Sequence, residues 1–331
     1  MSTDARQCAP RKVLFFSHDG KLGDAIVNTA FVAGLARHNP GCEIHATVAG
    51  ITAAFWEHDS RVARLWKLGR GWGEAIRTGL ALRRERYDVI VTWQRMRSEK
   101  NRALLWLARP GRVIDLHEFN RAGVVHKIEA CGEALGQAGV IVEQSELAYD
   151  VRIAARSEQV DAQFPPGQEL IVINLFAADA ERNVARADAV ALLRGLQAAA
   201  PEAVLCLMCT DATAATAFAV VEESGTGQVM NCEGNLHQLF RLCERADVVV
   251  SPDTAVIHIA SSFRTPVVGI YQNNGIKPVQ WGPRGCASAV VLSQCPRTIQ
   301  GFCVDEVVAQ AAALRRRPAE AAAPAVASIP A

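Results

Sequence analysis

The chain has 331 residues, of which 50% are hydrophobic and 21% are charged, and its formal net charge is +1. This length favours two domains, and the composition excludes an intrinsically disordered protein. No stretch approaches the ~18 apolar residues of a membrane span, and the polar residues 1–10 do not resemble a signal peptide, so we expect a cytoplasmic protein.

The first half of the chain alternates short β-rich runs with longer helical stretches. Its predicted strands are KVLFF, EIHATVA, VARLWKL, YDVIVTW and RVIDL, and its predicted helices cover residues 24–37, 74–86, 98–108 and 124–137. This alternation is typical of a parallel sheet with crossover helices. Residues 1–160 are therefore predicted to form a doubly wound α/β domain.

The second half repeats this plan. Its predicted strands are LIVINLF, AVLCLMC, GQVMNC, ADVVVS and TPVVGIY, and its predicted helices cover residues 187–199, 212–223, 235–245 and 254–262. A polar stretch over residues 156–168 ends in FPPGQ and breaks both periodicities, which predicts the linker between the domains. Residues 161–303 are the second predicted α/β domain.

Two segments follow the second predicted domain. Residues 304–316 have the pattern of an amphipathic helix, which we expect to pack back on the first domain. Residues 318–331 are mostly Ala and Pro, so we expect a disordered tail.

The cysteine pattern argues against a metal site. The sequence has 10 cysteines, and Cys206 and Cys209 form its CxxC motif inside a predicted strand. An odd offset along a strand points two side chains to opposite faces, so these two thiols cannot share a metal ion. We expect free thiols in the core.

Positive charge is concentrated in the first half. Residues 61–127 contain 16 Lys and Arg against 6 Asp and Glu, a local charge of +10 that leaves −9 for the rest of the chain. These side chains are either solvated helix faces or a surface for an anionic acceptor, such as a phosphorylated or acidic sugar, or for a membrane that presents it. Arg95 and Arg97 follow a predicted strand, and we expect both to contact such an acceptor.

The loop after the first predicted strand is a candidate ligand site. Gly20 and Gly23 permit a tight turn, and Asp24 opens the following helix. Asp24 is either an N-cap that contributes ~1 kcal/mol or a functional carboxylate. The loop lacks the GxGxxG pattern, which argues against a nicotinamide cofactor.

The segment ADVVVSPDTAVIHIASS is a second candidate site. Asp253 is predicted to cap a helix that begins near Thr254, and His258 lies four residues later on the same face. Free amide groups at such a helix end favour a diphosphate ligand. His258 either contacts that ligand or is a buried residue satisfied by polar groups of the core.

In combination these segments resemble glycosyltransferase family 9, the lipopolysaccharide heptosyltransferase family, whose members pair an early LGD loop with a late DTxxxH segment. The corresponding segments here are KLGD over residues 21–24 and DTAVIH over residues 253–258. Further matches are YDVIVTWQRMRS, VHKIEACGEALGQAGV and WGPRG. The resemblance spans nearly the whole chain before the tail and implies a GT-B fold of two facing Rossmann-like domains.

The resemblance also implies a reaction and its residues. It assigns acceptor binding to the first domain, with Asp24 as the general base and Lys21 and Gly23 in the acceptor site. Donor binding is assigned to the second domain, through Asp253, Thr254, Ala255 and His258. We therefore expect inverting transfer of heptose from ADP-heptose to a lipopolysaccharide core or related glycan, without metal or cofactor. We also expect peripheral contact with the inner membrane surface and no binding of nucleic acid.

Three positions on the donor side depart from the family pattern. Ala255 stands where many members have Gly, and residues 272–274 (Gln-Asn-Asn) replace a Gly-Pro-Thr type of turn. Arg182 is the best substitute for a phosphate-binding Lys that the family places after the strand corresponding to LIVINLF.

Two other functions are compatible with the same fold. A nucleotide-sugar epimerase would convert its nucleotide sugar without any acceptor. A protein that binds nucleotide sugars or glycans without catalysis would keep the site but not the chemistry.

Overall fold

The computed structural model describes residues 9–16, 20–69, 71–93, 96, 98–116 and 125–315. The chain divides into two compact units. The first comprises the described residues up to Ala154 together with Val279–Trp281, and the second comprises Ala155–Pro278 and the described residues from Gly282 onward. The division falls just before the linker predicted at residues 156–168. In the described part of the chain, no helix has the length and apolar character that crossing a bilayer requires.

The first unit is built on a five-stranded parallel sheet with strand order β3-β2-β1-β4-β5. Its strands are β1 (Lys12–Phe16), β2 (Glu43–Val48), β3 (Val62–Lys67), β4 (Val89–Thr92) and β5 (Arg112–Asp115). Its described helices are α1 (Leu22–His38), α2 (Ile51–Trp56), α3 (Trp72–Glu85), α4 (Glu99–Ala108) and α5 (Lys127–Gln137). The chain moves outward from β1 to β3 and then returns to β4, so the winding direction reverses between β1 and β4.

The second unit contains a six-stranded parallel sheet with strand order β11-β10-β9-β6-β7-β8. Its strands are β6 (Leu170–Asn174), β7 (Val204–Cys209), β8 (Gln228–Asn231), β9 (Val248–Pro252), β10 (Val267–Tyr271) and β11 (Ser288–Leu292). Its helices are α6 (Glu158–Gln163), α7 (Arg186–Ala199), α8 (Ala214–Ser224), α9 (Leu236–Arg245), α10 (Ala255–Ser262) and α12 (Val304–Leu314). The short helix α11 (Lys277–Trp281) begins in the second unit, and its last three residues belong to the first. The winding reverses between β6 and β9. The predicted α/β class is confirmed for both units.

The helix α12 packs on the second unit, which corrects the predicted packing on the first. Val307 and Ala311 are fully buried in the core that also contains Val268 and Ile270 of β10. The apolar stripe of α12 finds its partner on the sheet that immediately precedes it in the chain. The predicted disordered tail, residues 318–331, lies outside the described residues.

Cys206 and Cys209 lie in the core of the second unit, as the sequence predicts. Cys209 joins the core on one face of the second sheet, whereas Cys206 is buried among other residues. Nine described cysteines are free thiols. Burial raises the pKa of Cys206 well above its ordinary value, so this thiol stays protonated at neutral pH.

Candidate functional site

Three loops of the second unit meet at the reversal point of its sheet. They follow β6, β9 and β10, which are neighbours in the order β10-β9-β6. Because all strands are parallel, their carboxyl ends lie at one edge, and such a reversal point leaves a crevice for ligands there. Asn174 ends β6, Pro252 ends β9, and Tyr271 ends β10.

Thr254, and not Asp253 as predicted, caps the helix α10. The Thr254 Oγ1 accepts a hydrogen bond of 3.3 Å from the Val256 N–H. Asn174 Nδ2 donates to Thr254 Oγ1 and to Ser251 Oγ, both at 3.1 Å. The cap therefore has its geometry fixed by side chains from the ends of two adjacent strands. Thr254 and Ala255 remain partly exposed at the tip of the helix.

Asp253 instead forms an ion pair with Arg182. Arg182 Nη1 donates to the backbone oxygen of Asp253 at 2.6 Å and to its Oδ2 at 3.3 Å. Arg182 reaches this position from a single 3-10 turn, Ala180–Arg182, in the loop after β6. The structure thus brings together two of the residues that the sequence singled out, although 71 positions separate them.

A second cation, Lys277, acts on the same carboxylate. Burial raises the pKa of Asp253, while the charges of Lys277 and Arg182 oppose that rise. Asn274 Oδ1 accepts from the Lys277 N–H at 2.9 Å and from the Ile276 N–H at 3.1 Å, which orders the start of α11. The positive potential is in excess here, because two cations and a helix N-terminus surround one buried carboxylate. This excess favours a diphosphate ligand.

His258 is enclosed in the second unit. Only 2% of its surface is exposed, one helical turn beyond the partly exposed Thr254. Of the two interpretations of the sequence, the structure therefore shows the buried histidine. Sequence reasoning missed Asn174, which lies within a predicted strand, and Lys277, which lies six residues beyond one; the available signal was that each is near the carboxyl end of its strand.

In the first unit, Asp24 lies in the first turn of α1 rather than at its cap. The N-cap position belongs to Lys21, which is exposed and has extended backbone angles, and Gly23 is partly exposed in the first turn. Gly20 has a φ of +68°, and a Cβ there would lie 3.1 Å from the Ala49 oxygen, so the turn before α1 requires glycine. Asp24 is half-buried at the positive end of the helix dipole.

Two buried donors without partners lie near this helix start. Asn28 is 2% exposed, and neither its Nδ2 nor the buried Nε1 of Trp93 has a hydrogen-bond partner among the described residues. Asp24, Asn28 and Phe31 share one stripe of α1, since they are four and seven residues apart. The Phe31 ring lies 5.6 Å from that of Phe15, which lies 6.5 Å from the ring of Trp93. The stripe therefore faces the ends of β1 and β4, where the first sheet reverses.

Lys127 is a buried cation close to the same reversal point. Its Nζ lies 5.9 Å from the ring centroid of Trp93 and 5.5 Å from that of Trp281. Its helix α5 runs beside α1, since Cys131 Sγ contacts the Val27 oxygen at 3.7 Å and Leu135 lies against Gly34. The second of these contacts lies further along both helices than the first, so α5 and α1 run in the same direction. Lys127 at the start of α5 is therefore level with the first turns of α1.

Sequence reasoning missed Asn28, Trp93 and Lys127. Arg95 and Arg97, which it proposed as acceptor contacts, lie outside the described residues.

A cluster that could attract a metal ion lies at the opposite edge of the first sheet. Glu43, His45 and Glu85 bring their ligand atoms together among the described residues. The Lys12 ammonium already occupies this cluster, 3.0 Å from Glu43 Oε2 and 2.9 Å from Glu85 Oε2. We therefore interpret the cluster as an ion-pair network at the amino ends of β1 and β2.

Comparison with known proteins connects the second unit to one class of enzyme. Residues 141–300 match the model of glycosyltransferase family 9 (heptosyltransferase). No curated protein matches the chain.

Solved structures resemble nearly the whole chain. A family 9 glycosyltransferase from Veillonella parvula matches with a TM-score of 0.75 and 15% identity, over 92% of this chain and 97% of that one. The ADP-heptose lipopolysaccharide heptosyltransferase II of E. coli matches with a TM-score of 0.70 and 16% identity, over 94% and 100%. The E. coli heptosyltransferase WaaC with ADP matches with a TM-score of 0.62 and 15% identity, over 89% of this chain and 97% of that one.

At these identities the solved structures establish the fold, which is that of the GT-B glycosyltransferases. The family model adds the class and confirms the resemblance predicted from the sequence motifs. The chain is a glycosyltransferase with the GT-B fold, and its residues 141–300 match the model of family 9 (heptosyltransferase).

Proposed function

We propose that this enzyme transfers heptose from ADP-heptose to a hydroxyl of a lipopolysaccharide core or related glycan in the cytoplasm, with inversion and without a metal ion. The observation that carries the proposal is the buried Asp253 carboxylate with Arg182 and Lys277 beside it at the N-terminus of α10. Two of the similar structures are named as an ADP-heptose heptosyltransferase and as a heptosyltransferase with ADP, which supports this choice of donor.

On the donor side, the cations and the helix end replace a metal ion. Arg182 Nη1 is held by two hydrogen bonds to Asp253, and its Nη2 lies 4.0 Å from Oδ2 of the exposed Asp179, a weak pair that a phosphate oxygen can replace. Lys277 and the exposed tip of α10 add positive potential. Together they stabilise the charge that develops on the diphosphate as it leaves.

On the acceptor side, Asp24 acts as the general base. The acceptor oxygen attacks the anomeric carbon from the side opposite the diphosphate, its proton passes to Asp24, and the bond between sugar and phosphate breaks. Asn28 and Trp93 supply unused N–H donors that hold acceptor oxygens, and Lys127 favours an acceptor that carries negative charge.

A thermal-shift series tests the donor. We expect ADP and ADP-heptose, with or without EDTA, to stabilise the protein, because a ligand at 100 times its Kd adds about 2.7 kcal/mol. UDP, GDP and CMP should have little effect. Arg182→Gln should abolish most of the shift, whereas Arg186→Gln should not, since Arg186 is exposed and pairs with Glu223.

The alternatives give different results in the same series and in a transfer assay. A shift with another nucleotide would change the sugar but not the class. Conversion of the nucleotide sugar without acceptor would indicate an epimerase, and binding without any conversion would indicate a protein that is not catalytic. Loss of the ADP shift on EDTA addition would contradict metal independence.

A further inference from the structure

The outer face of α3 and α4 exposes large hydrophobic side chains. Trp72, Ile76 and Leu80 recur every fourth residue on α3 and are 52%, 45% and 45% exposed. Trp106 on α4 is 67% exposed. The opposite side of α3 is buried, with Leu82 in the core of the first unit. Residues at this spacing form one stripe along a helix, so the exposure is systematic.

The two helices form a single surface. A Cβ at Gly79 would lie 2.8 Å from Leu107 Cβ, so α3 and α4 touch at this glycine. Leu80 follows Gly79 in the chain, and Trp106 precedes Leu107, so both exposed side chains flank the line of contact. Single exposed hydrophobic residues are ordinary, whereas a continuous patch of this kind marks an interaction site.

Arginines surround this hydrophobic surface. Residues 72–86 and 99–109 contain seven Lys and Arg against three Asp and Glu. One of these acidic residues, Glu85, is engaged by Lys12 and Arg64 from the sheet. The exposed arginines of the helix pair are Arg77, Arg83, Arg84, Arg86, Arg102 and Arg109.

We infer that this surface, defined by Trp72, Ile76, Leu80 and Trp106 with the surrounding arginines, docks on a bilayer that contains anionic phospholipid. Tryptophan favours the interface between lipid and water, and arginine extends an apolar stem with a charged end towards phosphate. The Arg109 guanidinium lies 5.8 Å from the Trp106 ring centroid, which places both kinds of contact side by side. An apolar stripe flanked by basic residues is the pattern of helices that lie in a membrane interface.

Charge complementarity selects a bilayer over other partners. Seven Lys and Arg against three Asp and Glu give the helix pair an excess of positive charge around its apolar stripe, which complements the negative surface of an anionic bilayer. Docking would bring the first unit to a surface that presents a lipid-borne acceptor. The inference is based on the surface alone and does not depend on the transfer reaction.

Sedimentation of the full chain with vesicles tests this inference. We expect binding to equimolar phosphatidylglycerol and phosphatidylcholine, weakened by salt, and little binding to phosphatidylcholine alone. Because one basic residue near an anionic surface contributes about fivefold to partitioning, Arg83→Gln with Arg84→Gln should lower vesicle binding at least tenfold. Trp72→Ser with Trp106→Ser should have an effect of similar size.

Matched variants on the second unit are the controls. Phe218→Ser replaces an aromatic residue that is 61% exposed on α8, and Arg194→Gln removes an exposed arginine. Both should keep normal vesicle binding, and all variants should keep the thermal midpoint and the ADP response of the wild type. Absence of binding by the wild type, or equal losses in the controls, would overturn the inference. Self-association without vesicles that the tryptophan variants abolish would overturn it as well, in favour of a second copy as the partner.

Discussion

Asp253 makes the stability of the second unit depend on pH in a defined direction. Burial raises the pKa of its carboxyl above the ordinary value of 3.8. The folded protein therefore binds this proton more tightly than the unfolded chain, and the contribution of Asp253 to the free energy of unfolding decreases as pH rises from 3.8 through the raised pKa.

Replacement by the neutral amide removes this dependence. The free energy of unfolding of Asp253→Asn, relative to wild type, should increase over that pH range, as measured by urea denaturation at a series of pH values. A relative free energy that falls with pH would mean that the attraction of Arg182 and Lys277 outweighs burial.

Asp24 is tested by its neutral amide. It is not the cap of α1 but lies in the first turn, where the helix dipole favours its charge by about 0.3–1 kcal/mol. If it is the base, Asp24→Asn should lower kcat by roughly 10²–10⁴-fold with a nearly unchanged Tm. Near-normal turnover would leave Asp24 with a structural role.

Asn28 tests whether an unpaired donor serves the acceptor. Asn28→Leu keeps the approximate size and removes a buried N–H donor, Nδ2, that has no partner among the described residues, so stability should not fall. The KM for the acceptor should rise about tenfold, because one hydrogen bond of about 1.4 kcal/mol is lost, while the ADP thermal shift stays the same.

Thr29→Val on the same helix is the matched control. Thr29 Oγ1 donates to the Ile26 oxygen at 2.6 Å and accepts from the Asp150 N–H at 3.0 Å. Its loss should lower the Tm and leave the acceptor KM unchanged. An unchanged acceptor KM in Asn28→Leu would indicate that the Asn28 amide donates to a buried water and not to the acceptor.

At the scale of elements, the cap of α10 combines folding and binding. Thr254→Val removes the acceptor for the Val256 N–H and should cost about 1 kcal/mol of stability. It should also weaken ADP binding, since the cap orders the tip of the helix. Ser157→Ala removes a comparable cap from α6, where Ser157 Oγ accepts from the Val160 N–H at 3.3 Å, and should lower stability without changing ADP affinity. Equal ADP affinity in both variants would show that the cap of α10 does not contribute to donor binding.

The sequence predicted most elements because hydrophobic periodicity is local. It missed β11, where SAVVL is a short edge strand with a largely exposed face, and it missed the one-and-a-half-turn helix α2. It also predicted Asp253 as the cap of one helix and left Asp24 as a possible cap of another, whereas Thr254 and Lys21 hold those positions. In the second unit a distant arginine engages the aspartate carboxylate, and local preference contains no information on such a partner.

The partners in each site depend on strand order. Arg182, Asp253 and Lys277 meet because β6 and β10 flank β9, which spacing along the chain does not reveal. The same holds for Trp93, which lies near Phe15 because β4 is beside β1.

At the scale of the whole molecule, the structure sorts the basic first half into separate groups. Arg61 is bound by Asp59 and Asp150, and Arg64 pairs with Glu85, so these charges are neutralised within the fold. Lys127 is buried, whereas the arginines of α3 and α4 face solvent. The excess of +10 over residues 61–127 thus combines structural ion pairs with exposed charge. Sequence could not separate them, since Asp150 lies 89 residues beyond Arg61.

The position of α12 also determines when the protein can complete its folding during synthesis. The first unit lies almost entirely ahead of residue 155 and can form while translation continues. The core of the second unit includes Val307 and Ala311, so it closes only after the last described helix leaves the ribosome. A nascent chain that stalls before residue 304 would expose Val268 and Ile270 of a nearly finished sheet, and such chains should be the species that chaperones and proteases capture.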